Sequence, residues 1–231
     1  MRTASVFATA AVLCSAASYS LAIPTSDGSI YQENFTGALN GKTSLIGTGA
    51  ANSGGAAQIE TIVTTEGVYR ASPLGIAGSS EFVLEFDFTI HADSGNFYIL
   101  YMEGSGSPYL SDIAIRAINP GAGNGDFGFQ VDYASGGYEI FSGKTYDVPY
   151  EVTLHHKADN SIDLYLDSVL LNTYGDRNAG LGTNLVQFGD GSTGAGFGNM
   201  TIDNVSIGVI PEPTSLAAIG LLGMAALRRR R

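Results

Sequence analysis

Residues Glu81–Ile90 read EFVLEFDFTI. Phe82, Leu84, Phe86, Phe88 and Ile90 are apolar at every second position, and Glu85, Asp87 and Thr89 alternate with them. Successive side chains of a β-strand point to opposite faces, so this order builds one wall of a core and one solvated face. The same period of two returns in FGFQVDY, where Phe127, Phe129, Val131 and Tyr133 share a face. In SIDLYLD it sets Ile162, Leu164 and Leu166 against Asp163, Tyr165 and Asp167.

Shorter runs of strand character, NFYILYM, DIAIRAI, YEVTLHH, NLVQFG and MTIDNVSI, are separated by turn clusters such as GSGSP, NPGAGNGD, ASGG and GDGSTGAG. No helical period intervenes, and no repeat of fixed length is present. Many short strands with glycine-rich punctuation predict an all-β fold, an antiparallel sandwich over residues 23–208. Phe82, Leu84, Phe86, Phe88, Phe129, Leu164 and Leu166 are its expected core. KADNSIDLYLD predicts a hairpin turning at Asp159, Asn160 and Ser161, residues that tolerate turn conformations. IGTGAANSGGAAQIET, residues 46–61, is poor in bulky apolar side chains and reads as a long loop.

The chain ends carry a different composition. MRTASVFATAAVLCSAASYSLA has Arg2 near its start, an apolar run from Val6 to Ala17 and small residues before Ala22, the pattern of a signal peptide over residues 1–22 cleaved after Ala22. The single cysteine, Cys14, lies inside it, so the processed chain has no thiol for disulfides or metal sites. Of 11 Lys and Arg residues, Arg2 and Arg228 to Arg231 are terminal, which leaves Lys42, Arg70, Arg116, Lys144, Lys157 and Arg177 in a body of acidic character. A net charge of −11 works against the diffuse charge attraction that dominates nucleic-acid binding, so no nucleic acid is expected as a partner.

Residues 209–231 close the chain with Pro211, Glu212 and Pro213, an apolar segment, and Arg228, Arg229, Arg230 and Arg231. This order resembles the PEP-CTERM sorting signal. The resemblance implies export in a Gram-negative bacterium, transient retention in the inner membrane by a short C-terminal helix, an exosortase-type processing enzyme as partner, and release to the cell surface or extracellular matrix. The apolar run from Thr214 to Leu227 is about 14 residues, roughly 21 Å as a helix, against a hydrocarbon core of roughly 30 Å. Such a segment holds only briefly, and the arginines keep its end cytoplasmic.

The body resembles the concanavalin A-like or laminin G-like jelly roll, through YQENF, FVLEFDFTI, YEVTLHHKADNSIDLYLDSVLL and a closing GNMTIDNVSI that returns near the first strand. Glucanases of that fold carry Glu-x-Asp-x-x-Glu. Here Glu85 and Asp87 match the first two acids, and Ile90 stands where the second glutamate would be, so the carboxylate pair of a retaining glycosidase is incomplete. His155 and His156 are adjacent and face opposite ways in a strand, and His91 stands apart, so the histidines form no chelating set. Asp93, Asp126 and Asp190 lie in glycine-rich loops with the hard oxygen ligands that calcium takes, and calcium is the one cofactor the sequence suggests. For sugar contact the sequence offers Tyr98, Tyr109, Tyr138 and Tyr165 as ring platforms, with Gln130, Asp132, Asp163 and Asp167 as polar neighbours. The expected function is a non-enzymatic exported protein of the surface or matrix whose jelly-roll domain is structural or binds exopolysaccharide, with a carbohydrate-active enzyme of this fold as the alternative.

Overall fold

The computed structural model describes residues 23–61, 67–78, 80–92, 95–103, 111–118, 126–133, 136–176, 182–189 and 198–210. They form fifteen strands: β1 (Tyr31–Glu33), β2 (Thr43–Ile46), β3 (Ala50–Ser53), β4 (Ala56–Thr61), β5 (Val68–Ala71), β6 (Phe82–Ile90), β7 (Phe97–Glu103), β8 (Ser111–Ile118), β9 (Asp126–Asp132), β10 (Tyr138–Thr145), β11 (Pro149–His156), β12 (Ser161–Leu166), β13 (Val169–Gly175), β14 (Leu185–Phe188) and β15 (Gly198–Gly208). All pairings are antiparallel. One sheet runs β13-β12-β11-β6-β15-β4-β3, with β1 also on β15, and the other runs β10-β9-β8-β7-β14-β5-β2. The chain is an all-β, jelly-roll-like sandwich. Residues 1–22, read from the sequence as a signal peptide, and 211–231, read as the bulk of a sorting signal, lie outside the described residues.

The alternation read from the sequence is what the sheets use. Phe82, Leu84, Phe86, Phe88 and Ile90 of β6 are buried to within 1% of full burial, and Phe127, Phe129 and Val131 of β9 face them from the other sheet. Rings meet across the interior, with Phe88 and Phe129 stacked at 5.9 Å and Phe86 edge-on to Phe188 at 4.9 Å. Each such side chain contributes about 1.5–3 kcal/mol through burial.

One expectation is overturned. Residues 46–61 are no loop: Ala50–Ser53 and Ala56–Thr61 pair as β3 and β4 around Gly54 and Gly55, both at positive φ. Ala57 and Ile59 of β4 are buried, because β4 lies beside β15 and turns this pair of alternate positions toward the core.

Two side-chain networks close the sandwich at its sides. Tyr31 of β1 meets the hydroxyls of Tyr69 on β5 and Thr43 on β2, and buried Glu33 accepts from Phe35 N, Asn40 N and Thr43 Oγ1, joining the two sheets. At the opposite side Glu139 of β10 accepts from Asn172 Nδ2 and Tyr174 Oη of β13. A strap at Ser26–Gly28 crosses the outside of the β6 sheet. Ser26 N donates to Glu85 and Ser206 Oγ to Ser26 Oγ, and a Cβ on Gly208 would meet Asp27 Oδ1 at 2.0 Å.

Candidate functional site

Each sheet has one outward face, and register fixes what each presents, because directly paired residues project to the same side. On the β6 sheet the outward row Asp203–Asp87–Glu151 sets three acids on neighbouring strands. Like charges placed so are destabilising, and the fold softens this locally. The bulge between Asp203 and Ser206 turns Asn204 to positive φ, so that its Nδ2 donates to Asp87 Oδ2 at 2.7 Å. Desolvation, and then the neighbouring Asp87, hold the Asp203 carboxyl above its ordinary range.

The same face holds several residues that the sequence suggested for chemistry. Glu85 is half-buried beneath the strap. Desolvation raises its carboxyl, the hydrogen bond from Ser26 N works against that rise, and Glu151 and Asp87 add to it. Asp163 is buried between Lys157 Nζ at 2.7 Å and Thr173 Oγ1 at 2.6 Å. Asp167 accepts from Glu151 N at 3.0 Å and serves the turn. His155 meets Glu81 at 2.7 Å on this outward side, while His156 turns inward to Asp176 at 3.3 Å and stacks on Phe82. Tyr165 also belongs to this face, so Tyr165, Asp163 and Asp167 share no site with Tyr98, which is on the other sheet.

The outward face of the β10-to-β2 sheet is chemically different. Register joins Tyr138, Asp132, Ala114, Tyr101, Gln187, Arg70 and Ser44 into one row across all its strands, and Ile140, Gln130, Arg116 and Tyr98 into a second. A bulge between Tyr98 and Leu100 puts Tyr98 and Tyr101 on the same side. Asp132 accepts from Gln130 Nε2 at 2.7 Å and pairs with Arg116 Nε at 2.7 Å. Arg116 in turn lies 4.1 Å over the Tyr98 ring, and Tyr101 stacks on Tyr98 at 4.0 Å. Two groups so close to one ring need opposite sides of it. Tyr98 is therefore the middle layer of an Arg116–Tyr98–Tyr101 stack, and the sugar platform expected of its ring is already covered. The exposed ring is Tyr138, at 62% exposure, next to Ile140 at 41%.

Four strands from Tyr138, Gln187 accepts from Arg70 Nη2 at 2.7 Å and Nε at 3.2 Å, and its own amide donates to Gly189 O. Sequence reasoning singled out neither Arg70 nor Gln187. VYRA and LVQF signal only a half-buried strand, and their meeting depends on register.

Of the calcium candidates, Asp93 and Asp190 lie outside the described residues, as do Tyr109 and the processing residues. Asp126 begins β9 with Oδ1 buried and without a hydrogen-bond partner among the described residues. Among those residues no group of three His, Cys, Asp or Glu side chains is placed to hold a metal ion.

No protein-family model matches the chain, and a search of curated protein sequences finds no relative. Solved structures do match its fold. It is similar to a marine PL7 alginate lyase from Zobellia galactanivorans, with TM-score 0.53 and 15% identity over 67% of this chain and 78% of that one. It is similar to the carbohydrate recognition domain of Emp47p, with TM-score 0.54 and 12% identity over 81% of this chain and 97% of that one. An alginate lyase from Alteromonas sp.272 matches with TM-score 0.52 and 14% identity over 71% of this chain and 92% of that one. At such identities the likeness is one of fold, the two-sheet jelly-roll sandwich.

Proposed function

We propose that this protein is a non-enzymatic, exported glycan-binding protein, and that it binds polysaccharide on the outward face of the β10-to-β2 sheet. The observation that carries this is the row from Tyr138 to Ser44 across seven strands, in which Ala114, Tyr101 and Gln187 are buried while Tyr138 with Asp132 at one end and Arg70 with Ser44 at the other reach the surface. Six strand spacings of about 4.8 Å set Tyr138 and Ser44 roughly 29 Å apart, a separation that a polymer spans and one sugar does not. An exposed ring at Tyr138 offers an apolar surface to the C–H side of a pyranose. Beside it, the guanidinium of Arg116 is preoriented by Asp132 and Tyr98 and retains outward N–H donors for hydroxyl oxygens. The match in fold to a carbohydrate recognition domain and to polysaccharide lyases agrees with a sugar ligand.

What supports binding without turnover is the chemistry of that face. Its described residues include no histidine, and Asp132, the carboxylate beside Arg116, is engaged twice. Export, exosortase-type processing and residence at the surface or matrix rest on the sorting-signal resemblance of Pro211 to Arg231. The test is affinity electrophoresis of the purified protein through gels containing the producing organism's exopolysaccharide, alongside an assay for new reducing or unsaturated ends. Retardation that weakens in Tyr138→Ala, without new ends, is the expected result. Unretarded migration overturns the binding site, and polymer cleavage that persists through purification overturns the non-enzymatic reading.

A further inference from the structure

The two outward faces differ in charge as well as in shape. The face of the β6 sheet presents Glu60, Glu85, Asp87, Glu151, Asp163 and Asp203, with Lys157 paired to Asp163. The opposite face carries Arg70 and Arg116 together with Asp126 and Asp132. In a chain of net charge −11 the described strands thus set two arginines on one face and one neutralised lysine on the other. The two arginines are also held differently. Asp132 both positions Arg116 and neutralises it.

Arg70 is positioned by a neutral group. Gln187 is nearly buried, and its amide donates to Gly189 O, which leaves Oε1 as the acceptor for Arg70 Nη2 and Nε. This arrangement fixes the plane of the guanidinium without cancelling its charge. Arg70 forms no ion pair among the described residues, and a guanidinium is a fork suited to two oxygens of one anionic group. It also sits in the same register row as Tyr138 and Asp132, about four strand spacings or roughly 19 Å from Asp132.

From this geometry we infer that Arg70 is the anion-contacting residue of the glycan face, and that the polysaccharide it takes is acidic, with a carboxylate or sulfate seated on the guanidinium. The inference rests on the glycan-binding reading above and adds the class of polymer and the residue that selects it. Gln187 is the positioning residue for Arg70.

The experiment measures retention of the purified protein on three immobilised polymers: polygalacturonate for carboxylate, dextran sulfate for sulfate and dextran as the neutral case. Wild-type protein is expected to bind at least one charged polymer and to pass dextran. Arg70→Ala should weaken that binding about tenfold or more, as the loss of a charge-assisted pair does, with an unchanged near-UV circular dichroism spectrum. Which charged polymer binds identifies the anionic group. Lys157→Ala removes a cation from the opposite face and should leave retention intact. Equal loss in both variants would mean diffuse charge attraction and would overturn the assignment, as would full retention by Arg70→Ala. Retention of dextran as tight as that of the charged polymers refutes acidic selectivity and leaves the glycan-binding reading standing. Failure of the wild type to bind these polymers or the native exopolysaccharide refutes both.

Discussion

Glu85 shows how a residue that fits part of a catalytic motif in the sequence is defined by its surroundings in the fold. Its place in Glu85-Phe86-Asp87 suggested a glycosidase strand, but it lies under the Ser26 strap on the face opposite the row of Tyr138 and Arg70. Burial raises its carboxyl above the ordinary range, ahead of the effects of Ser26, Glu151 and Asp87. A carboxyl raised in the folded state makes the folded chain bind more protons than the unfolded chain over that interval. Its contribution is then most favourable below the ordinary carboxylate range near about pH 4.3 and is lost as pH rises through the folded value. Glu85→Gln keeps an acceptor for Ser26 N and removes the charge. Its melting temperature relative to wild type should therefore climb between pH 4 and pH 7, and a difference that stays flat or falls would contradict the assigned environment. The alternation of Phe82 to Ile90 was legible from residue types alone, because burial acts on each side chain separately. The covered state of Tyr98 was not, since it depends on Arg116 and Tyr101 arriving at one ring.

Among the elements, the β12–β13 hairpin carries its own test. Asp167 and Ser168 form its two-residue loop with φ of 48° and 66°, the left-handed pair that matches the twist of the flanking strands. Asp167 suits the first place, and its carboxylate also holds Glu151 N. Ser168 is exposed and has a Cβ where glycine is preferred. Replacing it by glycine relieves roughly 1–2 kcal/mol of steric cost and returns roughly 0.4–1 kcal/mol to the unfolded chain as entropy. The expected net gain is about 0.5–1 kcal/mol in urea unfolding, and a lowered midpoint would show that the loop geometry is different. The hairpin at Asp159 to Ser161 was legible because turn chemistry is local. The β3–β4 hairpin was missed for the converse reason. Its strands are small and polar by composition, and β4 is held as a strand by pairing with β15, more than a hundred positions along the chain, with β3 added on its far side.

At the scale of the molecule, the ends of the body meet. β15 is hydrogen-bonded to β1, β4 and β6, so the last described strand is the one on which the first strand and the central strand depend. The candidate glycan face is assembled in the same long-range way, from β2, β5, β7, β8, β9, β10 and β14, and this is why its separate residues carried so little signal in the sequence. Beyond Gly208 the chain needs nothing further to complete the sheet. Pro211 and Pro213 lack the backbone donor that would extend a ladder, and they separate the body from the apolar segment and the arginines. Removal of the tail near that point should therefore cost the fold nothing, whereas removal of β15 should abolish it. A chain ending at residue 210 is expected to unfold cooperatively at the same temperature as the full chain, and one ending at residue 197 to show no cooperative transition by circular dichroism. If processing uses this division, the intact mass of the protein in the surface fraction of the native bacterium will place its end near Pro211 to Pro213. Arginines 228–231 still attached in that fraction would refute the sorting proposal, and a destabilised 210-residue chain would refute the independence of body and tail.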